Sequence, residues 1–506
     1  MAENKRDHKY ADSHSHFNGV LPADILIDDI AKKYDILIPI GYFLGVGSFK
    51  NIKKERAIRE QFKSLKGNGI QLCPVEHDGT TFYCIRASDI SLVDGLEKAF
   101  KERLEAPESY EKMKEAYITR NAFFNFLEIF ENDPRGMDIE EYKKDVLVAT
   151  AKYYKETLKL SYAEMSISIG QSDDFLSTME NETNKKEVED AGARLGFLLA
   201  YRRESNADEK LFVQGVKDRA GNPAVAGIDI MGDESHKNAS IDQEKFKYMI
   251  KEMTKWAAER DKPASIFSIR VHAGERDNDN AELNLRDTLK IMTDAAGSVK
   301  DKERLPEFRI GHAVHGWEHV KTADKDLLDF IRDAKPVFEI CPASNLRLGN
   351  INDAEGLRDL LEKVLELGPV GARFVLATDG PGIMKTTMED QFRIIEDYAE
   401  KLGLDGKAII ERIENDMKTI SENKIESSKQ KEQEYESMKV EDNFKKNINK
   451  PNEQEIAVES ESQLGAATES SGVDSSGPSG PDCPSGPDDP GDPSGPGGPK
   501  GGGPGL

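Results

Sequence analysis

Ser265-Ile266-Phe267-Ser268-Ile269-Arg270-Val271-His272-Ala273-Gly274-Glu275 is a run of β-branched and apolar residues that stops at a histidine and a glutamate. A short apolar run bounded by glycine reads as a buried strand. Its polar residues therefore stand at a strand end. The pattern recurs around Asp12-Ser13-His14-Ser15-His16-Phe17-Asn18-Gly19, Arg309-Ile310-Gly311-His312 and Ala377-Thr378-Asp379-Gly380-Pro381. Imidazoles and carboxylates placed at the ends of separate strands can be gathered around one buried metal ion. On an extended segment His14 and His16 point to one face, because strand side chains alternate with period two, so a single strand can supply two ligands.

Further apolar runs lie at 161–167, 195–201, 224–230, 265–271, 307–310, 337–340 and 373–377, which with the segment at His14 make eight. Helix-like stretches such as 242–260 and 354–367 separate most of them. Strands alternating with helices predict parallel βα units, and eight such units predict an α/β TIM (β/α)8 barrel. In that fold the chemistry collects at the C-terminal ends of the strands, where every polar motif of this chain falls.

Taken in order, the five segments Asp12–Gly19, Val271–Glu275, Arg309–His312, Cys341-Pro342-Ala343-Ser344-Asn345 and Ala377–Pro381 resemble the adenosine/AMP deaminase family of the metal-dependent amidohydrolase superfamily, over about residues 10 to 400. The resemblance implies one zinc ion per chain held by His14, His16, His272 and Asp379. Zinc bound by such a set lowers the pKa of water toward about 7 and supplies hydroxide at neutral pH. The resemblance also implies that His312 orients that water and takes its proton, that Glu275 protonates a ring nitrogen, and that Asp379 acts in catalysis as well as in ligation. A glutamate with that task must be held protonated in a dry pocket.

Substrate contacts implied in the same way are Gly232, whose backbone meets the purine edge, and Phe126 and Phe130 on an aromatic helix over the site. For Ala122–Phe130 an ordinary amphipathic core helix is the competing reading. Two positions depart from the pattern. Asn18 stands where nucleoside deaminases carry an aspartate toward the ribose, which favours a 5′-phosphorylated or unusual purine. Gly380 stands where a second aspartate binds the five-membered ring, so that contact is missing. The expected partner is a small-molecule purine nucleoside or nucleotide. A different amidohydrolase acting on another C–N bond, and a binding or assembly protein built on a deaminase barrel, remain alternatives.

The 506 residues exceed the roughly 250 a barrel needs. The excess is expected in an insertion at about 20–160, with a hairpin near His77-Asp78-Gly79-Thr80 and a charged helical stretch at 91–117. Beyond a barrel domain at 1–420 we expect a polar helical extension at 421–450, within a helix over 405–447 whose apolar stripe is Ile409, Ile410, Ile413 and Met417. A disordered Gly/Pro/Ser-rich tail follows at 451–506. The excess of 94 acidic over 70 basic residues argues against a nucleic-acid surface. No apolar stretch reaches membrane-spanning length and the start lacks a signal-peptide core, which predicts a cytoplasmic protein without membrane contact. Cys73, Cys84, Cys341 and Cys483 lack disulfide-framework or CxxC spacing, and reduced thiols are expected. A homo-oligomer is compatible with the long insertion and tail.

Overall fold

The computed structural model describes residues 10–39, 41, 72–77, 80–92, 95–105, 109–124, 136–236, 240–241, 243–260, 266–277 and 282–448. Eleven strands among them form two sheets. Eight are parallel: β1 (Ala11–His16), β5 (Tyr162–Ser168), β6 (Arg194–Arg202), β7 (Val225–Met231), β8 (Ser268–Ala273), β9 (Glu307–His312), β10 (Val337–Ile340) and β11 (Arg373–Leu376), hydrogen-bonded in that order. The barrel is closed just past β11. The Asp379 N–H donates to His14 O and the His16 N–H to Asp379 O, both at 2.8 Å. All eight predicted strands are present, and their C-terminal ends converge on one mouth.

Period two explains what these strands carry. On β8, Ile269 and Val271 join the apolar core, while Ser268, Arg270 and His272 point into the barrel. The interior is ionic where barrels of this class usually stack aliphatic side chains. Arg270 and Arg309, both fully buried, each donate to Ser13 O at 3.0 Å. Arg309 also pairs with Glu164 at 2.6 Å, Glu307 at 2.9 Å and Glu339 at 3.0 Å, and Arg270 with Asp229 at 2.8 Å. Charges buried this deeply need such partners, since an unpaired one is strongly destabilising.

The insertion between β1 and β5 contains a three-stranded antiparallel sheet of β2 (Leu37–Pro39), β4 (Thr80–Arg86) and β3 (Cys73–His77). The hairpin expected near His77 is β3–β4, with its turn residues 78–79 outside the described residues. Cys73 and Cys84 stand opposite one another across that pair as free thiols. The charged helical stretch is two helices, Leu96–Leu104 and Tyr110–Phe124. Phe123 and Phe124 at the end of the second are core residues, Phe123 stacking on Phe100 and Phe124 packing on Phe17. Phe126 and Phe130 lie outside the described residues.

The boundary expected at 420 falls inside one helix, Gly406–Ile448. Its apolar stripe of Ile409, Ile410, Ile413 and Met417 is buried as the pattern predicts. The stripe then changes chemistry without leaving the barrel. Ser421, Lys424, Ser427 and Lys431, spaced by three or four and so on one face, are all buried under the N-terminal ends of the strands. Ser421 accepts from Ala11 N and Ser427 from Ile266 N, Lys431 donates to Val225 O, and Lys424 reaches Ser268, Glu307 and Glu164 at 2.6, 2.9 and 3.1 Å. The polar extension expected at 421–450 thus carries cations that are counterions of the barrel interior. Residues 1–440 form one compact unit, and the tail at 451–506 lies outside the described residues. No described helix is long and apolar enough to cross a membrane.

Candidate active site

At the mouth, the strand-end motifs meet. One ring nitrogen each from His14, His16 and His272 lie within 4.8 Å of one another. Asp379 Oδ1 stands 3.3 Å from His16 Nε2 and 4.0 Å from His14 Nε2. Gly311 makes room for this set, since a Cβ there would lie 2.6 Å from His14 Cε1.

The donor chemistry fits a divalent cation. His14 Nδ1 lies 2.8 Å from Glu339 Oε2 and His272 Nδ1 lies 3.1 Å from Asp229 Oδ1. Burial alone would raise Asp229, but Arg270 and His272 outweigh it and hold the carboxyl well below its usual range. Burial pushes Glu339 up to about 7 against the pull of Arg309 and Arg270, so above that pH it too is an acceptor. Each carboxylate fixes the proton of its histidine on Nδ1. The two Nε2 lone pairs then face one another at 3.1 Å. That contact is repulsive unless a positive charge sits between them, and nitrogens sharing a tetrahedral zinc at about 2.0 Å lie about 3.3 Å apart. Burial also holds His14 and His272 below the usual imidazole range, keeping them neutral as ligands must be.

Beside this cluster stand a buried carboxyl and a buried imidazole. Glu275 is buried, and burial, with Asp379 adding to it, pushes its carboxyl up to about 7. Asn350 Nδ2 approaches its Oε1 at 3.4 Å. His312 donates through Nδ1 to Asn345 Oδ1 at 3.1 Å, which turns Nε2 toward Glu275 Oε2, 4.0 Å away. Burial keeps this imidazole below its usual range and therefore neutral. Burial would raise Asp379 too, but the His16 hydrogen bond and the surrounding imidazoles hold it in the ionised form, with Ser344 donating to Oδ2. His312 and Asp379 adopt left-handed backbone at φ 66° and 65°.

Several residues that hold the site have no local sequence signal. Glu234 accepts the backbone N–H groups of Gly274, Glu275 and Arg276 at 3.1, 2.8 and 3.3 Å, so a single carboxylate shapes the turn that presents Glu275. Arg203 ties Glu234 to His272 O. Both are recognisable only once β6 and β7 are adjacent. Gly232 has φ 119°, and a Cβ there would lie 2.1 Å from Glu204 Oε2, so this turn admits only glycine. Asn18 is held at both ends of its amide, donating to Asn121 Oδ1 at 3.0 Å and accepting from Gln171 at 2.9 Å. Of the other histidines, His315 donates to Asn350 O at 2.8 Å and His319 lies 3.3 Å from Glu318, so neither joins the cluster.

A family model described as adenosine deaminase matches residues 292–436. The adenine deaminase of Rhizobium leguminosarum bv. trifolii is 23% identical over 290 residues, covering 55% of this chain and 76% of that protein. The aminodeoxyfutalosine deaminase of Acidothermus cellulolyticus is 28% identical over 219 residues, 42% of this chain and 49% of that protein. Among solved structures, the adenine deaminase of Arthrobacter aurescens overlays with a TM-score of 0.44 at 15% identity, covering 83% of this chain and 93% of that one.

Proposed function

We propose that the chain is a member of the adenosine deaminase family, whose model matches residues 292–436, and that it deaminates an adenine nucleoside or nucleotide, with one zinc ion held by His14, His16, His272 and Asp379. The observation that carries this is the pairing of a buried, protonatable Glu275 with a neutral His312 across 4.0 Å beside the three-histidine cluster, with Asp379 3.3 Å from His16. Zinc in that cluster would acidify water to supply hydroxide at neutral pH. His312 Nε2, free because Asn345 takes the Nδ1 proton, accepts a proton from the attacking water. Glu275 gives its proton to the ring nitrogen next to the amine-bearing carbon. Attack without that proton would leave negative charge on a ring in a dry pocket, which burial disfavours. The amine then leaves as ammonia and the ring carbon keeps the oxygen, giving the inosine-type product.

A nucleotide substrate is favoured by Arg276, which stacks at 4.3 Å on the Tyr110 ring and whose buried Nη1 has no hydrogen-bond partner among the described residues. Such a cation suits a 5′-phosphate, and the neutral Asn18 adds no repulsion. Metal analysis combined with ammonia release from adenosine, AMP, ATP, N6-substituted adenosines and adenine tests the proposal. One metal per chain and turnover of an adenine nucleoside or nucleotide are expected. Metal-loaded protein that releases ammonia from none of them would overturn it.

A further inference from the structure

Helix Tyr110–Phe124 sends Tyr117 toward the cluster, its ring edge-on to His16 at 6.1 Å. The hydroxyl occupies a gap that two glycines leave. A Cβ on Gly19 would lie 2.7 Å from it, and a Cβ on Gly380 would lie 3.2 Å from it and 2.7 Å from Ile383 Cγ2. A side chain at 380, the aspartate of the family pattern included, would have to displace Ile383 and crowd Tyr117, which stands in the space it would take. Ala116, Ile383 and Met384 wall the ring, so it is held in that direction. No described residue hydrogen-bonds the hydroxyl, and Tyr117 is only half-buried, so the group stays open to a ligand at the mouth. Burial first, then Asp379, raises its pKa well above the usual range, so it remains a donor.

Resting on the deaminase function proposed above, we propose that Tyr117 is a specificity-determining residue that donates its hydroxyl hydrogen to N7 of the purine, replacing the contact that Gly380 cannot make. The choice of nitrogen follows from the ring. A purine substituted at N9 offers N1, N3 and N7 as acceptors. N1 is taken by Glu275, and N3 lies on the side of the six-membered ring away from the reacting carbon. Tyr117 sits beside His16 and Asp379, hence beside that carbon, where N7 is the remaining acceptor.

The test is kcat/KM for the best adenine substrate and its 7-deaza and 3-deaza counterparts, in wild type and in Tyr117→Phe, with metal content and melting temperature measured on both. Wild type is expected to favour the parent over the 7-deaza compound by about 10- to 100-fold, as for a buried donor left unpaired. In Tyr117→Phe that ratio should fall to near one, with the parent/3-deaza ratio and metal content unchanged. A variant that loses activity equally on parent and 7-deaza substrates, or keeps the wild-type ratio, overturns the N7 assignment while the deaminase function stands. Absence of turnover of any purine by metal-loaded wild type overturns both.

Discussion

In the proposed mechanism Glu275 and His312 divide the work by protonation state, and that division should be visible in pH. With its carboxyl near 7, Glu275 is the proton-bearing form below that value, so kcat should fall as pH rises through about 7. His312 is held below the ordinary imidazole range, so the acidic limb should lie lower still, where it gains a proton. Glu275→Gln should retain the metal and lose at least ~100-fold in kcat, because an amide has no proton of the needed acidity to give. A variant within a few-fold of wild type would assign the acid elsewhere. His272→Ala should lose the metal itself, measured by elemental analysis, whereas unchanged metal content would displace the cluster. These residues were legible because their motifs are local. His14 and His16 share a strand, and Glu275 follows His272 by three positions. Tyr117, Glu234 and Glu339 were not, because each matters through residues about a hundred or more positions away or across a turn that only folding brings near.

At the scale of elements, the site is a set of strand ends bent out of extended geometry. His312, Ala313 and Asp379 at positive φ cost about 1–3 kcal/mol each, which the surrounding hydrogen bonds must offset. The turn after β8 is held differently, by Glu234 accepting three successive N–H groups. Glu234→Gln would put an amide N–H against one or more of those donors. We expect normal metal content with kcat lowered by about 10- to 100-fold, the usual effect of a group that orients a catalytic one. An unchanged kcat would show that the turn holds its shape without this acceptor. Period-two alternation and apolar runs gave all eight strands, whereas the aromatic run from Ala122 was ambiguous because core and lid helices share one pattern. Phe123 and Phe124 turn out to be core.

For the molecule as a whole, the barrel interior and the helix beneath it are one electrostatic unit. Glu164 and Glu307 are buried, yet Arg309 and Lys424 hold both ionised against the effect of burial. Lys424→Met leaves those carboxylates short of a cation and should destabilise by about 3–5 kcal/mol, read from urea unfolding, with Lys424→Arg recovering part of the loss. An unchanged midpoint in the methionine variant would mean that Arg309 and Arg373 suffice. Hydropathy could not foresee this role, since it scores a lysine the same way whether it faces water or a buried pair of acids.

That dependence has a consequence for how the protein is made. β1 supplies two of the candidate metal ligands and leaves the ribosome before the other barrel strands, yet Lys424 emerges after all eight. At about 5–20 residues per second, the stretch from the end of β11 at Leu376 to Lys424 takes several seconds to synthesise. During that interval the nascent barrel has every strand but lacks the lysine that two of its buried carboxylates require. In that interval Glu164 and Glu307 have only the arginines of the barrel as counterions.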